Sequence, residues 1–116
     1  MKLIAVLSAF LLPISVLARI GGPCSGSHHN NRCICLDRNE CVNRYGGRAF
    51  EGTPGNYPCP SDPGNVWGCT VYDRCPGYGG DTGCVWTNIA PGCPSGRIIQ
   101  DPVCPGPNEF VCCDVI

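Results

Sequence analysis

The sequence predicts a small disulfide-rich domain, mostly β and loops, made of two related half-repeats stapled by six disulfides. Three observations lead there. All twelve cysteines of the 116 residues follow residue 23. Aliphatic residues are too scarce for an ordinary core. Cysteines and prolines recur in the same order along two stretches of the chain.

The first 18 residues, MKLIAVLSAFLLPISVLA, carry one positive charge at Lys2, an apolar run from Leu3 to Leu12 and a short tail ending in Val16-Leu17-Ala18, with small or permitted residues before the cut. This is the pattern of a secretory signal peptide cut after Ala18. The run is short of the ~20 residues that span a bilayer and meets Pro13, so a membrane anchor fits less well. An exported chain meets an oxidising compartment, and an even number of cysteines then predicts six disulfides and no free thiol.

Cleavage leaves 98 residues, of which only 16 are Leu, Ile, Val or Phe. Burial alone cannot offset the conformational entropy of such a chain. Six crosslinks of roughly 2–4 kcal/mol each can. The 98 residues hold seven Arg, nine Asp or Glu and no Lys. Without a basic cluster no nucleic acid is expected as a partner, and without a second apolar stretch no membrane. A monomer is expected.

Residues 19–32 are rich in Gly, Ser, Asn and His, and read as a flexible N-terminal arm tied down only by Cys24. Residues 33–116 form the single disulfide-rich domain, with half-repeats 33–69 and 84–113. The halves align Cys33 with Cys84, Cys41 with Cys93, Cys59 with Cys104 and Cys69 with Cys113. Pro60 falls on Pro105, Pro63 on Pro107 and Val66 on Phe110. Matched cysteines are expected to form corresponding bonds. Cys24, Cys35, Cys75 and Cys112 are left to make two odd bridges, one drawing Cys112 toward the linker 72–83. Adjacent Cys112 and Cys113 should reach different partners.

Short β-prone runs at 66–67, 70–72, 84–87 and 110–112 are bounded by turn residues, and 97–100 is a further candidate. Residues 36–45 suit one or two helical turns, with Asp37 as N-cap.

No catalytic set is assembled. The two histidines, His28 and His29, sit in the arm, too far from order for a nucleophile pair and too few for a metal site. Cys33-x-Cys35 has a thiolate-ligand spacing, but disulfides take precedence in an exported chain. Asp37, Glu40, Glu51, Asp62 and Asp73 include no pair singled out for glycoside hydrolysis, and Asp62-Pro63-Gly64-Asn65 is itself a turn. No cofactor, metal or catalytic residue is therefore expected. Aromatic residues give the best binding signal. Trp67 and Trp86 are expected to pack on disulfides as a substitute core. Tyr45, Tyr57 and Tyr78 neighbour glycines or lie in loops and, with Arg48, form the expected binding surface.

The phrases CICLDRNEC, GGRAFEGTPGNYPCPSDPGNVWGC and CPGPNEFVCC resemble small secreted cysteine-rich proteins of filamentous fungi, including biotrophy-associated secreted proteins. The Cys-Pro-x-Asp-Pro block and its sister Cys-Pro-Gly-Pro, ending in Cys-Cys, also resemble a module found beside fungal cell-wall or peptidoglycan hydrolases. The likeness covers about residues 33–113. Gly68 stands where that module has the first cysteine of its pair. Hydrophobins, with two Cys-Cys pairs, fit less well. The resemblance implies a non-enzymatic effector in the host apoplast or at the host–fungus interface, with a host extracellular protein or a cell-wall glycan as partner. A chitin-, glucan- or peptidoglycan-binding module is the alternative. An antimicrobial or toxin-like role fits least, because the chain is not cationic.

Overall fold

The computed structural model describes residues 20–115, so the expected leader at 1–18 lies outside the described residues. Six strands form two three-stranded antiparallel sheets. The first contains β1 (Cys33–Asp37), β2 (Arg48–Phe50) and β3 (Val66–Thr70), in the order β1-β3-β2. The second contains β4 (Thr82–Trp86), β5 (Ile98–Ile99) and β6 (Phe110–Asp114), in the order β4-β6-β5. In each half the last strand enters between the first two. The predicted half-repeats are thus two copies of one topology.

The sequence suggested the parts of β3, β4, β5 and β6 that hold β-branched and aromatic residues. It did not suggest β1 or β2. β1 was hidden by its cysteines, which suit a strand once their sulfurs are bonded. A short helix follows at Glu40–Arg44, inside the predicted helical stretch. Asp37 holds its start: the carboxylate accepts from the N–H groups of Asn39 (2.9 Å) and Glu40 (3.1 Å).

All twelve cysteines are paired: Cys24–Cys33, Cys35–Cys59, Cys41–Cys69, Cys75–Cys112, Cys84–Cys104 and Cys93–Cys113. Cys112 and Cys113 reach different partners, and Cys112 ties the linker at Cys75, as expected. The Cys41–Cys69 and Cys93–Cys113 bonds correspond, also as expected. The first alignment needs a correction. Strand register places Cys35 opposite Gly68 and Cys84 opposite Cys112, one residue before Cys69 and Cys113 respectively. Cys35 is therefore the counterpart of Cys84, and Cys33 that of Thr82. The matched bridge is Cys35–Cys59 with Cys84–Cys104, and the odd cysteines are Cys24, Cys33, Cys75 and Cys112. A two-residue slip keeps a side chain on the same strand face, so face pattern cannot expose the error. Spacing to the next cysteine favoured Cys33 because the loop after β4 is the longer one.

The stretch expected to be held only by Cys24 is held at several further points. Gly21 N–H donates to Cys35 O (2.7 Å), Cys35 N–H to Gly22 O (2.9 Å) and Cys24 N–H to Cys33 O (3.3 Å), and Pro23 bridges Ile34. Glycines read as looseness in the sequence here let a backbone lie along the free edge of β1. Gly21 comes within 3.8 Å of Gly106 Cα, measured from an ideal Cβ.

One core cluster joins the halves: Ile34, Cys41, Cys69 and Val71 from the first with Cys84, Trp86, Phe110 and Cys112 from the second. Trp86 is 2% exposed, stacks at a tilt on Phe110 (4.8 Å between centroids) and donates its indole N–H to Cys33 O at 2.8 Å. Asn31 Nδ2 donates to Gly92 O (2.8 Å), and Cys84 N–H to Val71 O (2.7 Å). No disulfide connects residues 24–69 to residues 75–113. Beyond the continuous chain, packing and hydrogen bonds join the halves. Among the described residues no helix is long and apolar enough to cross a membrane.

Candidate functional site

A cleft of about 220 Å³ opens in the first half, lined by Glu51, Tyr57, Pro60, Asp62, Val66 and Trp67 among others. Glu51 leaves the end of β2. Gly52 follows at φ +88°, where an ideal Cβ would lie 2.7 Å from Pro58 Cδ and 2.8 Å from Asn56 O. Only glycine lets the chain fold this tightly under the 53–58 loop. Asn56 N–H closes that loop on Thr53 O (2.8 Å) and Ser25 N–H holds Pro58 O (2.7 Å). Tyr57 is thus presented from a fastened loop and is 42% exposed. Pro60 to Gly64 form the opposite turn, with Asp62 N–H bonded to Cys59 O (3.3 Å) and Val66 N–H to Pro63 O (2.9 Å). Val66 is buried as the floor, while Trp67 is half-buried and donates its indole N–H to Gly64 O at 3.0 Å.

The histidines serve this loop and the arm. His28 Nε2 donates to Asn56 O (3.0 Å), with its ring 5.2 Å from that of Phe50, and His29 Nδ1 donates to Cys24 O (3.0 Å). Both act as braces for backbone carbonyls.

The expected binding residues do not share one cavity. Tyr57 lines this cleft. Arg48 lines a separate, wider hollow of about 550 Å³ with Arg32, Val42, Tyr72 and Asp73. There the charges are engaged within the chain. Arg48 lies 3.7 Å from Asp73, and the Arg32 guanidinium is 3.8 Å from the Tyr72 ring centroid. Tyr45 and Tyr78 are half-buried against the core, where Tyr78 donates to Asp101 Oδ2 (3.0 Å). That hydrogen bond raises the Tyr78 pKa above its usual 10.0. Trp86 is in the core as expected. Trp67 is not; its ring stands at the surface with the Arg38 guanidinium 5.0 Å from its centroid. The sequence weighed Glu51 and Asp62 only among five carboxylates for glycoside hydrolysis, singled out neither, and read Asp62 as a turn residue. The signal that could have found Asp62 and Trp67 is the difference between the sister blocks, since the second has Gly106 and Val111 in their places.

In each of two groups, Cys24/Cys35/Cys59 and Cys75/Cys84/Cys104, the three sulfurs lie within 4.8 Å of one another. Every one is in a disulfide and offers no thiolate to a metal.

The second half repeats the cleft's frame with different chemistry. Register pairs Ala49 with Cys69 and Ile98 with Cys113, so Glu51 corresponds to Gln100. It likewise pairs Trp67 with Val111, and counting back from Val66 and Phe110 sets Asp62 against Gly106. The sister cleft, about 260 Å³, is lined by Ile98, Gln100, Asp101, Gly106, Pro107 and Val111 among others. Its one carboxylate, Asp101, is already bonded to Tyr78. Compared with protein-family models, with curated proteins and with solved structures, the chain gives no match in any of the three.

Proposed function

We propose that this chain is a secreted, non-enzymatic binding protein of effector type that acts outside the cell, in the host apoplast or at the host–fungus interface. The cleft between Tyr57 and Trp67 carries this reading: two accessible rings and two carboxylates are held on a frame pinned by the Cys35–Cys59 disulfide, whose Cys59 lines the cleft. Rings set on a rigid frame bind at low entropic cost. Six disulfides suit a chain that must persist among proteases, and the fungal resemblance favours the host interface. The histidines brace backbone carbonyls and form no nucleophile–base pair. The expected partner is a host extracellular protein. A cell-wall glycan is the second reading, favoured by flat rings beside carboxylate acceptors.

Tagged protein made by the fungus during infection should collect outside the fungal cell, around invading hyphae. Incubation with insoluble chitin, glucan and peptidoglycan separates the two partner classes. Retention inside the cell would overturn the proposal. So would hydrolysis of a wall polymer that is lost in Glu51→Gln or Asp62→Asn.

A further inference from the structure

Among the described residues, five of the six arginines are engaged by the chain's own acids or rings. Arg44 and Glu40, Arg48 and Asp73, and Arg97 and Asp114 form ion pairs. Guanidinium groups of Arg44, Arg32 and Arg38 lie over Tyr45, Tyr72 and Trp67. Tyr78 bonds Asp101. Among the described residues, the Tyr57 ring and the Glu51 and Asp62 carboxylates have no cation of their own, and all three line one cleft. The fold does not require this chemistry, because the same frame is built in the second half with Gln100, Gly106 and Val111.

We infer that the first-half cleft is a subsite for a guanidinium or ammonium side chain, so that the partner surface docking here is a basic protein segment. This deepens the binding reading above and rests on it. Two carboxylates supply charge complementarity and charge-assisted acceptors. The rings supply π faces that attract an organic cation. Trp67 already accepts a guanidinium from Arg38, so the chemistry is in use within the molecule. A cleft of about 220 Å³ takes one side chain and not a folded surface. An uncharged sugar would use the rings but leave the charge of two carboxylates unanswered.

The test uses the full secreted chain, oxidised and isotope-labelled, titrated with a short acetylated peptide containing one arginine. Its controls are the same peptide with citrulline and a chitin oligosaccharide. The Trp67 indole N–H reports the cleft, and the buried Trp86 indole serves as an internal reference. The arginine peptide should move the Trp67 signal saturably and more weakly as salt rises, with Trp86 still. Glu51→Gln and Asp62→Gly bring in residues the sister cleft carries and keep the Trp67 reporter, so the frame should tolerate them. Each should weaken binding by about tenfold, while Arg48→Gln should leave it unchanged. Equal binding of the citrulline peptide, unchanged affinity in both cleft variants, or a response to the oligosaccharide alone would each overturn the cation subsite. None of these touches the wider reading, which falls to intracellular retention or to hydrolysis.

Discussion

The two sheets fill the same space with opposite choices. In the first, Phe50 of β2 faces Gly68 of β3, and an ideal Cβ on Gly68 would lie 2.6 Å from the Phe50 ring. In the second, Ile99 faces Cys112. A large residue with none beside it has been exchanged for two of middling size, and the second arrangement frees a sulfur to bond Cys75. What the halves share is strand order, register and two bridges. What differs is how each spends the volume between its outer strands, and what it places in its cleft. The comparison teaches that the disulfide frame sets the path of the chain and leaves side-chain chemistry to vary on it.

Full reduction should have the largest effect, because neither half has the aliphatic residues to hold its sheet. Both β signatures in circular dichroism should vanish together; survival of one half would show that half to be held by packing. Next in size is removal of a matched bridge. Cys41→Ala with Cys69→Ala, and Cys93→Ala with Cys113→Ala, should each cost about 2–5 kcal/mol in denaturant unfolding of the oxidised protein. A silent pair in one half would mean the duplicated bond is no longer equivalent in energy.

Gly68→Ala should cost about 1–3 kcal/mol, since its methyl must displace the Phe50 ring. Gly64→Ala, with nothing within 4 Å of its Cβ, is the control and should be near neutral. Trp86→Phe should cost a similar or slightly smaller amount, about 1–2 kcal/mol, by removing the shorter of two donors to Cys33 O and leaving that carbonyl only the longer bond from Cys24 N–H (3.3 Å). Because the indole bond joins the halves, amide exchange should quicken in both sheets. Quickening in the second alone would argue that the junction is held elsewhere.

The smallest effect is an acid sensitivity confined to the first half. Asn65 Nδ2, 2.7 Å from Asp37 Oδ2, and then the Glu40 N–H hold the Asp37 pKa below its usual 3.8. The lowered folded pKa stabilises the ionised form. Its contribution is complete above the unfolded value near 3.8 and is lost as pH falls through the folded one. The start of the Glu40–Arg44 helix should therefore loosen below about pH 4, as read by its amide signals, and Asp37→Asn should flatten that dependence. The register counterpart of Asp37 is the buried Trp86, which does not titrate.

The frame was legible because cysteine order survives in sequence. The strands after Val66 were legible because β-branched and aromatic residues betray them. Two things were not. The slip between Cys33 and Cys35 is invisible to spacing, since both lie on one face of β1. The cleft joins Glu51, Tyr57, Asp62 and Trp67 from two loops and a strand, and only pairing of β2 with β3 brings them together. Tyr57 was singled out because a loop tyrosine near glycine is seldom covered. Trp67 was assigned to the core because large apolar rings usually go there, and here an arginine and a turn carbonyl keep it at the surface.

The separation of the bridges into 24–69 and 75–113 also orders the molecule in time. On the secretory route proposed above, with the chain entering an oxidising lumen from its N-terminus, every bond of the first half could close before Cys75 emerges. The second half must wait for β6, its central strand and the last in sequence, which carries the partners of both Cys75 and Cys93. On that route the early half would be finished while the late one is still being made, and six oxidations would reduce to two successive problems of six cysteines each. Six cysteines allow 15 pairings, against more than ten thousand for twelve chosen at once.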